Sequence, residues 1–185
     1  MAGQGDNAMS TKAVGNPIVA CLILGALALL ASPVVAANAP KGTLTVDGKP
    51  VQITNAYAYF ENTYNDGKVE KVAVVVVLSD GPVPDDAVQN EYLRKQLVEA
   101  GKLNYVELLV GSDKKAMHYE VQHKRFGVMM QPGGDDSDHV VETTTLDATT
   151  IAGRTRTASS QMSPDDVPYS YDISFSAPIA QAKQP

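Results

Sequence analysis

The chain has 185 residues, with 15 Lys and Arg against 21 Asp and Glu, and a formal net charge of −6 at pH 7. This length predicts about one domain. The acidic balance excludes a broad face that neutralises phosphates, so we expect no nucleic-acid partner. The single cysteine, Cys21, excludes an internal disulfide and a multi-thiolate zinc or iron–sulfur site.

The first 36 residues have the order of a secretory signal peptide. A polar stretch containing a lysine precedes the uncharged apolar run Ile18–Leu30, and small residues follow it. We expect cleavage after Ala36 or Ala37. The remaining residues, 37–185, are then a single β-rich domain that is periplasmic or secreted.

Two other interpretations of this segment are open. The uncharged stretch Val14–Ala39 reaches the roughly 20 apolar residues that a membrane anchor needs, provided that Ser32-Pro33 is tolerated. Ile18–Cys21 looks like a lipobox, but the apolar run follows the cysteine instead of preceding it. Cleavage predicts a mature protein that has no cysteine and no stable membrane anchor.

The mature chain begins with a predicted β-hairpin. Asp47-Gly48 supplies the two positive-φ residues of a type I′ turn between Gly42–Val46 and Lys49–Phe60. A two-residue loop fixes the register of the hairpin. That register places four apolar side chains on one face: Leu44, Val46, Val51 and Ile53.

The strand after the second turn signal, Asn65–Gly67, is the expected centre of the domain. Residues Val72–Leu78 are all apolar, so they cannot alternate between a core face and a solvent face, and we expect cover on both faces. The predicted cover is one helix over Asp85–Ala100, with Pro84 near its first turn and Gly101 just past its end. Its opposite face should meet water through Glu91, Arg94, Lys95 and Glu99.

An alternating pattern returns from Leu103 and predicts strands up to the C-terminal region. We expect a hairpin that joins 103–110 to 116–123, a long loop over 130–139, and strands at 140–146, 149–158 and 169–175. The last strand should bury Tyr169, Tyr171, Ile173 and Phe175, and the tail after Pro178 should fray. About eight strands and one inserted helix predict an α+β fold, mainly antiparallel β, as an open barrel or a sandwich.

Three stretches carry a resemblance to other proteins. Residues 42–59 (GTLTVDGKPVQITNAYAY), 74–84 (VVVVLSDGPVP), and 152–157 (AGRTRT) with 169–178 (YSYDISFSAP) look like those of a group of secreted bacterial β-rich proteins of unassigned function. The resemblance covers most of the mature chain. It implies an exported β-rich body behind a signal peptide, and it implies no catalytic or binding residues.

His118 and Glu120 are candidate metal ligands or an acid–base pair. They lie two apart on a predicted strand, so both side chains project from one face. His123 falls on the opposite face, which leaves two ligands where zinc takes three or four. The alternative interpretation is an exposed polar face formed by His118, Glu120, Gln122 and Lys124.

Asp135, Asp136 and Asp138 offer oxygen ligands for a hard cation in a glycine-containing loop. Their spacing does not match a calcium loop, and no glutamate follows at the closing position. A solvated acidic loop is the favoured interpretation.

Tyr57, Tyr59 and Tyr64 lie close together in the sequence near one hairpin end. Tyrosines in such a place suit a recognition surface, because each ring is apolar and each hydroxyl reaches water or a partner. The alternative is that they are core or rim residues.

The chain has no G-x-S-x-G, H-E-x-x-H, P-loop or G-x-G-x-x-G motif, and the S-x-x-K pattern at Ser112–Lys115 lies in a predicted hairpin turn instead of at the start of a buried helix. We therefore expect a non-enzymatic protein without a cofactor. The leading interpretation is an exported module that binds a protein or other macromolecule in the cell envelope or outside the cell. Two alternatives are open: a carrier of a small apolar ligand in a barrel cavity, and a metal-dependent hydrolase that uses His118 and Glu120.

Overall fold

A computed structural model describes residues 39–65, 68–126 and 138–180 of the chain, with the side chains of 63–65 and 69–71 excepted. The predicted cleavage sites at Ala36 and Ala37 lie outside these ranges. All described residues belong to one compact unit. Nowhere in the described ranges is there a helix with the length and apolar character needed to cross a membrane.

Within the described ranges the chain forms ten strands and one helix. In chain order they are β1 (Lys41–Val46), β2 (Lys49–Gln52), β3 (Asn55–Asn65), β4 (Lys68–Ser79), α1 (Glu91–Glu99), β5 (Tyr105–Gly111), β6 (Ala116–Gln122), β7 (His139–Leu146), β8 (Thr150–Thr157), β9 (Gln161–Met162) and β10 (Pro168–Ala180).

The strands build one curled, open half-barrel in the order β2-β1-β10-β3-β4-β5-β6, with β8 and β9 also beside β10 and β7 beside β8. The strand pairs are antiparallel except for a short parallel contact between β10 and β3. The predicted α+β class, mainly antiparallel β, is confirmed, and of its two architectures the open barrel agrees with the structure.

The first hairpin has the predicted turn and register. Asp47 and Gly48 have φ values of 51° and 71°, as a type I′ turn requires. Val46 pairs with Lys49 and Leu44 pairs with Val51. The expected strand over Lys49–Phe60 is wrong in one respect, because it is interrupted between Gln52 and Asn55.

The interruption moves the chain from one part of the sheet to another. The backbone N–H of Ile53 donates to the Gly42 carbonyl at 3.0 Å, which still belongs to the first hairpin. The next N–H, that of Thr54, donates to the Ser79 carbonyl at the end of β4 at 2.9 Å. Two consecutive residues thus bond to different strands, which a reading of alternation alone does not detect.

The apolar run on β4 is covered on both faces, as predicted. All residues from Ala73 to Ser79 are buried. Val74, Val76 and Leu78 pack into the main core inside the half-barrel. Val75 and Val77 pack on the other face with residues of α1 and its flanking segments.

The predicted start of the helix at Asp85 is wrong. The helix begins at Glu91, because the Asn90 side chain accepts a hydrogen bond from the Leu93 N–H at 3.2 Å and caps it. Residues 85–89 form turns, in which the N–H groups of Ala87 and Val88 donate to the Pro84 carbonyl at 2.8 and 3.1 Å.

The predicted solvent face of the helix is also wrong at one position. Glu91 and Glu99 are exposed, but Lys95 is half-buried and Arg94 is 0% exposed. Arg94 turns inward because the sheet residue opposite it is Glu107, with which it forms an ion pair. The carboxylates of the sheet thus draw Arg94, and in part Lys95, out of the solvent.

The interpretation of β6 as an exposed polar face is wrong for Glu120 and Gln122, which are 1% and 4% exposed. His118 is half-buried, and only Lys124 beyond the strand is exposed. The cause is again α1, whose Lys95 lies against Glu120.

The last strand buries the predicted side chains of Tyr169, Tyr171, Ile173 and Phe175. The expected fraying after Pro178 is wrong for the next two residues, because Ile179 and Ala180 pair with β3. Residues 181–185 lie outside the described ranges.

Gly153 on β8 is needed for a close approach between strands. A Cβ atom there would lie 2.4 Å from the Glu142 carbonyl oxygen, beside the irregular pairing between Thr143 and Thr145. We expect Gly153→Ala to lower the free energy of unfolding by about 2 kcal/mol, because backbone atoms cannot yield easily. Urea unfolding followed by circular dichroism measures this loss.

Gly48→Ala is the matched control for Gly153→Ala. A Cβ on Gly48 would have no atom within 4 Å, and only its φ of +71° opposes a side chain. We expect this variant to lose about 1 kcal/mol or less. A Gly153→Ala protein as stable as the wild type would contradict the close approach.

Candidate functional site

A cleft of about 550 Å³ opens on the side of the sheet that carries α1. Its floor comes from β3, β4, β5 and β6, and its wall comes from α1 and the turn before it. Residues that pair across strands, or lie two apart on one strand, project from the same face. The floor is therefore built from ordered rows of side chains.

The inner row of the floor is Glu107 and Glu120, which pair directly in the β5–β6 ladder beneath α1. The middle row follows successive pairs across four strands and consists of Tyr59, Val75, Leu109 and His118. Glu61 lies at the outer end, two residues beyond Tyr59 on β3. The inner row and the outer end of the floor thus carry carboxylates, and the middle row between them is largely apolar.

Arg94 connects the wall of the cleft to the inner row. Its Nη2 forms an ion pair with Glu107, and its Nη1 donates to the carbonyl oxygens of Ala87 and Val88 at 3.1 and 2.6 Å. Its guanidinium also lies over the Tyr105 ring, 5.6 Å from the centroid. Among the described residues, the Nε of Arg94 has no hydrogen-bond partner.

Lys95 forms the second connection between helix and sheet. Its Nζ bridges the carboxylates of Glu91, one turn back on α1, and Glu120, which lies 3.2 Å away. Glu120 also accepts a hydrogen bond from the Gln122 amide. The helix therefore brings two cations to three carboxylates.

Burial controls the protonation of the inner groups. It raises the pKa of Glu107 to about 7, although the neighbouring Arg94 cation lowers this pKa. It also raises the pKa of Tyr59 to about 12, so that Tyr59 is a neutral phenol at physiological pH. Burial likewise raises the pKa of Tyr105, and its hydroxyl has no hydrogen-bond partner in the described part of the chain.

Among the side chains that the structure describes, the charges of the cleft do not balance. Four carboxylates belong to it, those of Glu61, Glu91, Glu107 and Glu120. Against them stand Arg94 in the wall and Lys95 bridging two of the four. When all four carboxylates are ionised the excess is two negative charges, four minus two. One of these negative charges is that of Glu61 at the outer end. The other belongs to the cluster in which Glu91, Glu107 and Glu120 share Arg94 and Lys95.

Three of the candidates from the sequence meet in this cleft: Tyr59, His118 and Glu120. They were predicted as parts of two unrelated sites, an aromatic surface and a metal or acid–base pair. The Tyr57 hydroxyl instead accepts a hydrogen bond from the Val83 N–H at 3.0 Å and fixes the chain before α1. Tyr64 lies on β3, and its side chain is outside the described part.

Of the three aspartates in the predicted acidic loop, the structure describes Asp138. Asp135 and Asp136 lie outside the described residues. Asp138 is exposed beside the start of β7, where its carbonyl accepts a hydrogen bond from the Ala158 N–H at 2.9 Å. Among the described residues, no three His, Cys, Asp or Glu side chains are grouped so that they could hold a metal ion. The predicted metal ligands His118 and Glu120 therefore gain no third ligand among these residues.

Sequence reasoning missed Glu61, Glu107 and Arg94. The turn after β5 contained the signal for Glu107, because a hairpin closed there places Glu107 opposite Glu120. No local signal identified Arg94, since its burial depends on where α1 lies on the sheet. The arrangement can bind a cation through its carboxylates and an acceptor atom through the Arg94 Nε.

A second cleft, of about 280 Å³, is mainly apolar. It lies between β3, β4 and β5 and the turn that joins β7 to β8, and its apolar lining is Phe60, Val72, Val74, Val110 and Leu146. Its size is slightly below the usual range for small-molecule pockets, which begins at about 300 Å³.

Comparison of the chain with known proteins finds no matching family model, no matching curated protein and no matching solved structure.

Proposed function

We propose that this protein is an exported, non-enzymatic binding protein whose helix-side cleft takes a cationic group of its partner. The observation that carries the proposal is the excess of two carboxylates over cations in one cleft. The order of residues 1–36 supports export. The partner expected from the sequence, a protein or other macromolecule, would present the group as a lysine or arginine side chain.

The position of the uncompensated charge favours a cation that enters from solvent. Glu61 and Glu91 are the two exposed carboxylates that line the cleft, so a ligand that comes from solvent meets them before the buried inner row. A concave site lined by one sign of charge concentrates the field and attracts ligands of the opposite sign. An anion entering from that side would meet Glu61 and Glu91 before it reached Arg94.

Binding of a blocked tetralysine peptide, acetylated and amidated at its ends, tests the proposal. We expect saturable binding by calorimetry at low salt, no binding of blocked tetraglutamate, and weakening as salt rises. Glu61→Gln should weaken tetralysine binding about three- to fivefold, the effect of one exposed charge pair.

Glu99→Gln is the matched control, because Glu99 is an exposed carboxylate on α1 that does not line the cleft. It changes the net charge by the same amount and should leave the affinity unchanged. An equal loss in both variants would assign the binding to overall charge and would contradict the proposal, as would the absence of saturable binding.

The apolar cleft favours a second candidate function, that of a small apolar-ligand carrier. Native mass spectrometry of the protein purified from the exporting host should then find a bound small molecule. Val72→Phe, at an exposed residue of the lining, would narrow the cleft and weaken the binding of that molecule. A purified protein that has only the mass of its own processed chain would rule out this candidate.

A further inference from the structure

The buried guanidinium of Arg94, at the inner end of the cleft, needs a hydrogen-bond acceptor that a simple cation does not supply. Arg94 is 0% exposed and lines the cleft, and its Nε is the guanidinium nitrogen without a partner among the described residues. A buried donor without an acceptor costs free energy, so such groups are normally paired. A ligand with a carboxylate would supply the acceptor.

The inner row next to Arg94 is suited to an ammonium group. Glu107 and Glu120 are directly paired carboxylates, and Glu91 stands above them on α1. When all three are ionised, they share two cations among the described side chains, Arg94 and Lys95. One positive charge placed there completes the balance, and it lies close to the carboxylate that Arg94 would bind.

The middle row and Glu61 define the rest of the ligand. Val75 and Leu109 offer an apolar floor, and Glu61 stands beyond it as a second carboxylate that has no cationic partner among the described side chains. Glu61 lies two row steps from the inner row, about 13 Å along the strands, and two strands, roughly 10 Å, to the side of Glu107. The two glutamate side chains cover part of this separation, and a ligand with a terminal cation on an aliphatic stem can cover the rest. Lysine and arginine have side chains of this kind.

We propose that the occupant of the cleft is a free basic α-amino acid of the lysine or arginine type. Its carboxylate binds at the Arg94 Nε, its α-ammonium lies on the inner row, its stem lies on Val75 and Leu109, and its terminal cation reaches Glu61. This inference rests on the proposed function, because it requires that the cleft binds cations, and it replaces the macromolecular partner expected from the sequence by a free amino acid.

Calorimetry with lysine and three analogues that each lack one group tests the inference. Cadaverine lacks the carboxylate, aminocaproate lacks the α-ammonium, and norleucine lacks the terminal ammonium. We expect lysine to bind about tenfold more tightly than each of them. Cadaverine is the decisive probe, since it carries two positive charges against a net charge of one for lysine and would bind more tightly if the field of the cleft alone decided.

Glu61→Gln should remove most of the preference for lysine over norleucine, and Glu99→Gln should retain it. Cadaverine binding as tightly as lysine would overturn the inference and leave the proposed function in place. Equal binding of Nα-acetyl-lysine would overturn it in favour of a lysine at the C-terminus of a polypeptide. If neither these cations nor tetralysine bind, the proposed function and the inference fail together.

Discussion

Replacing Arg94 by methionine should lower the free energy of unfolding by about 3–5 kcal/mol at pH 8. Methionine keeps much of the side-chain volume but removes the partner of Glu107, which is 9% exposed. It also removes the donors of the Ala87 and Val88 carbonyls. Breaking one side of a buried ion pair is costly because the remaining charge is desolvated without compensation.

Urea unfolding at pH 8 measures this loss, and Arg154→Met is its control. Arg154 also forms an ion pair, with Asp172, but both side chains are about half exposed, at 47% and 53%. An exposed pair of this kind contributes little to stability, because water screens its charges. Equal losses in the two variants would contradict the view that Arg94 anchors α1 through a buried pair.

The same residue marks the limit of sequence reasoning for this fold. The run on β4 predicted a strand covered on both faces, because its composition leaves no polar face whatever packs on it. The Asp47-Gly48 turn fixed its own register, because its backbone requirement is local. Arg94 was predicted to meet water, since the pattern of α1 does not reveal that the sheet beneath it carries Glu107.

The candidate site was predictable only in fragments. The two-residue spacing of His118 and Glu120 placed both on one face, and the structure brings them into one cleft with Tyr59. These residues come together because β3, β4, β5 and β6 are neighbours in the sheet, so that a row of side chains runs from Tyr59 on β3 to His118 on β6. The metal and acid–base interpretations considered β6 alone, and the carboxylate that changes the chemistry, Glu107, lies on its neighbour.

Glu107 should also make stability depend on pH in an unusual direction. Burial raises the pKa of this carboxyl from 4.5 to about 7. A group whose folded pKa lies above its unfolded value stabilises the fold at low pH, and this contribution is lost as the pH rises through the folded pKa. The difference between the two values corresponds to roughly 3 kcal/mol, lost between about pH 4.5 and pH 7.

The Glu107→Gln variant isolates this contribution. Glutamine resembles the protonated acid, so the variant and the wild type should be about equally stable at pH 4.5. By pH 8 the difference should move in favour of the variant by as much as roughly 3 kcal/mol, because only the wild type ionises the buried Glu107, whereas Arg94 is buried and charged in both proteins. Chemical unfolding of both proteins in parallel from pH 4.5 to pH 8 gives the difference directly.

The comparison between two proteins is needed because His123 acts in the opposite direction. Burial lowers the pKa of His123, so its contribution is present above its unfolded value of 6.5 and is lost as the pH falls. His123 is unchanged in both proteins, and its effect cancels in their difference. Glu142→Gln is the control, because it removes one carboxylate outside the cleft. If the difference for Glu107→Gln changes with pH no more than that for Glu142→Gln, burial does not raise the pKa of Glu107, and the inner row carries its full charge at neutral pH.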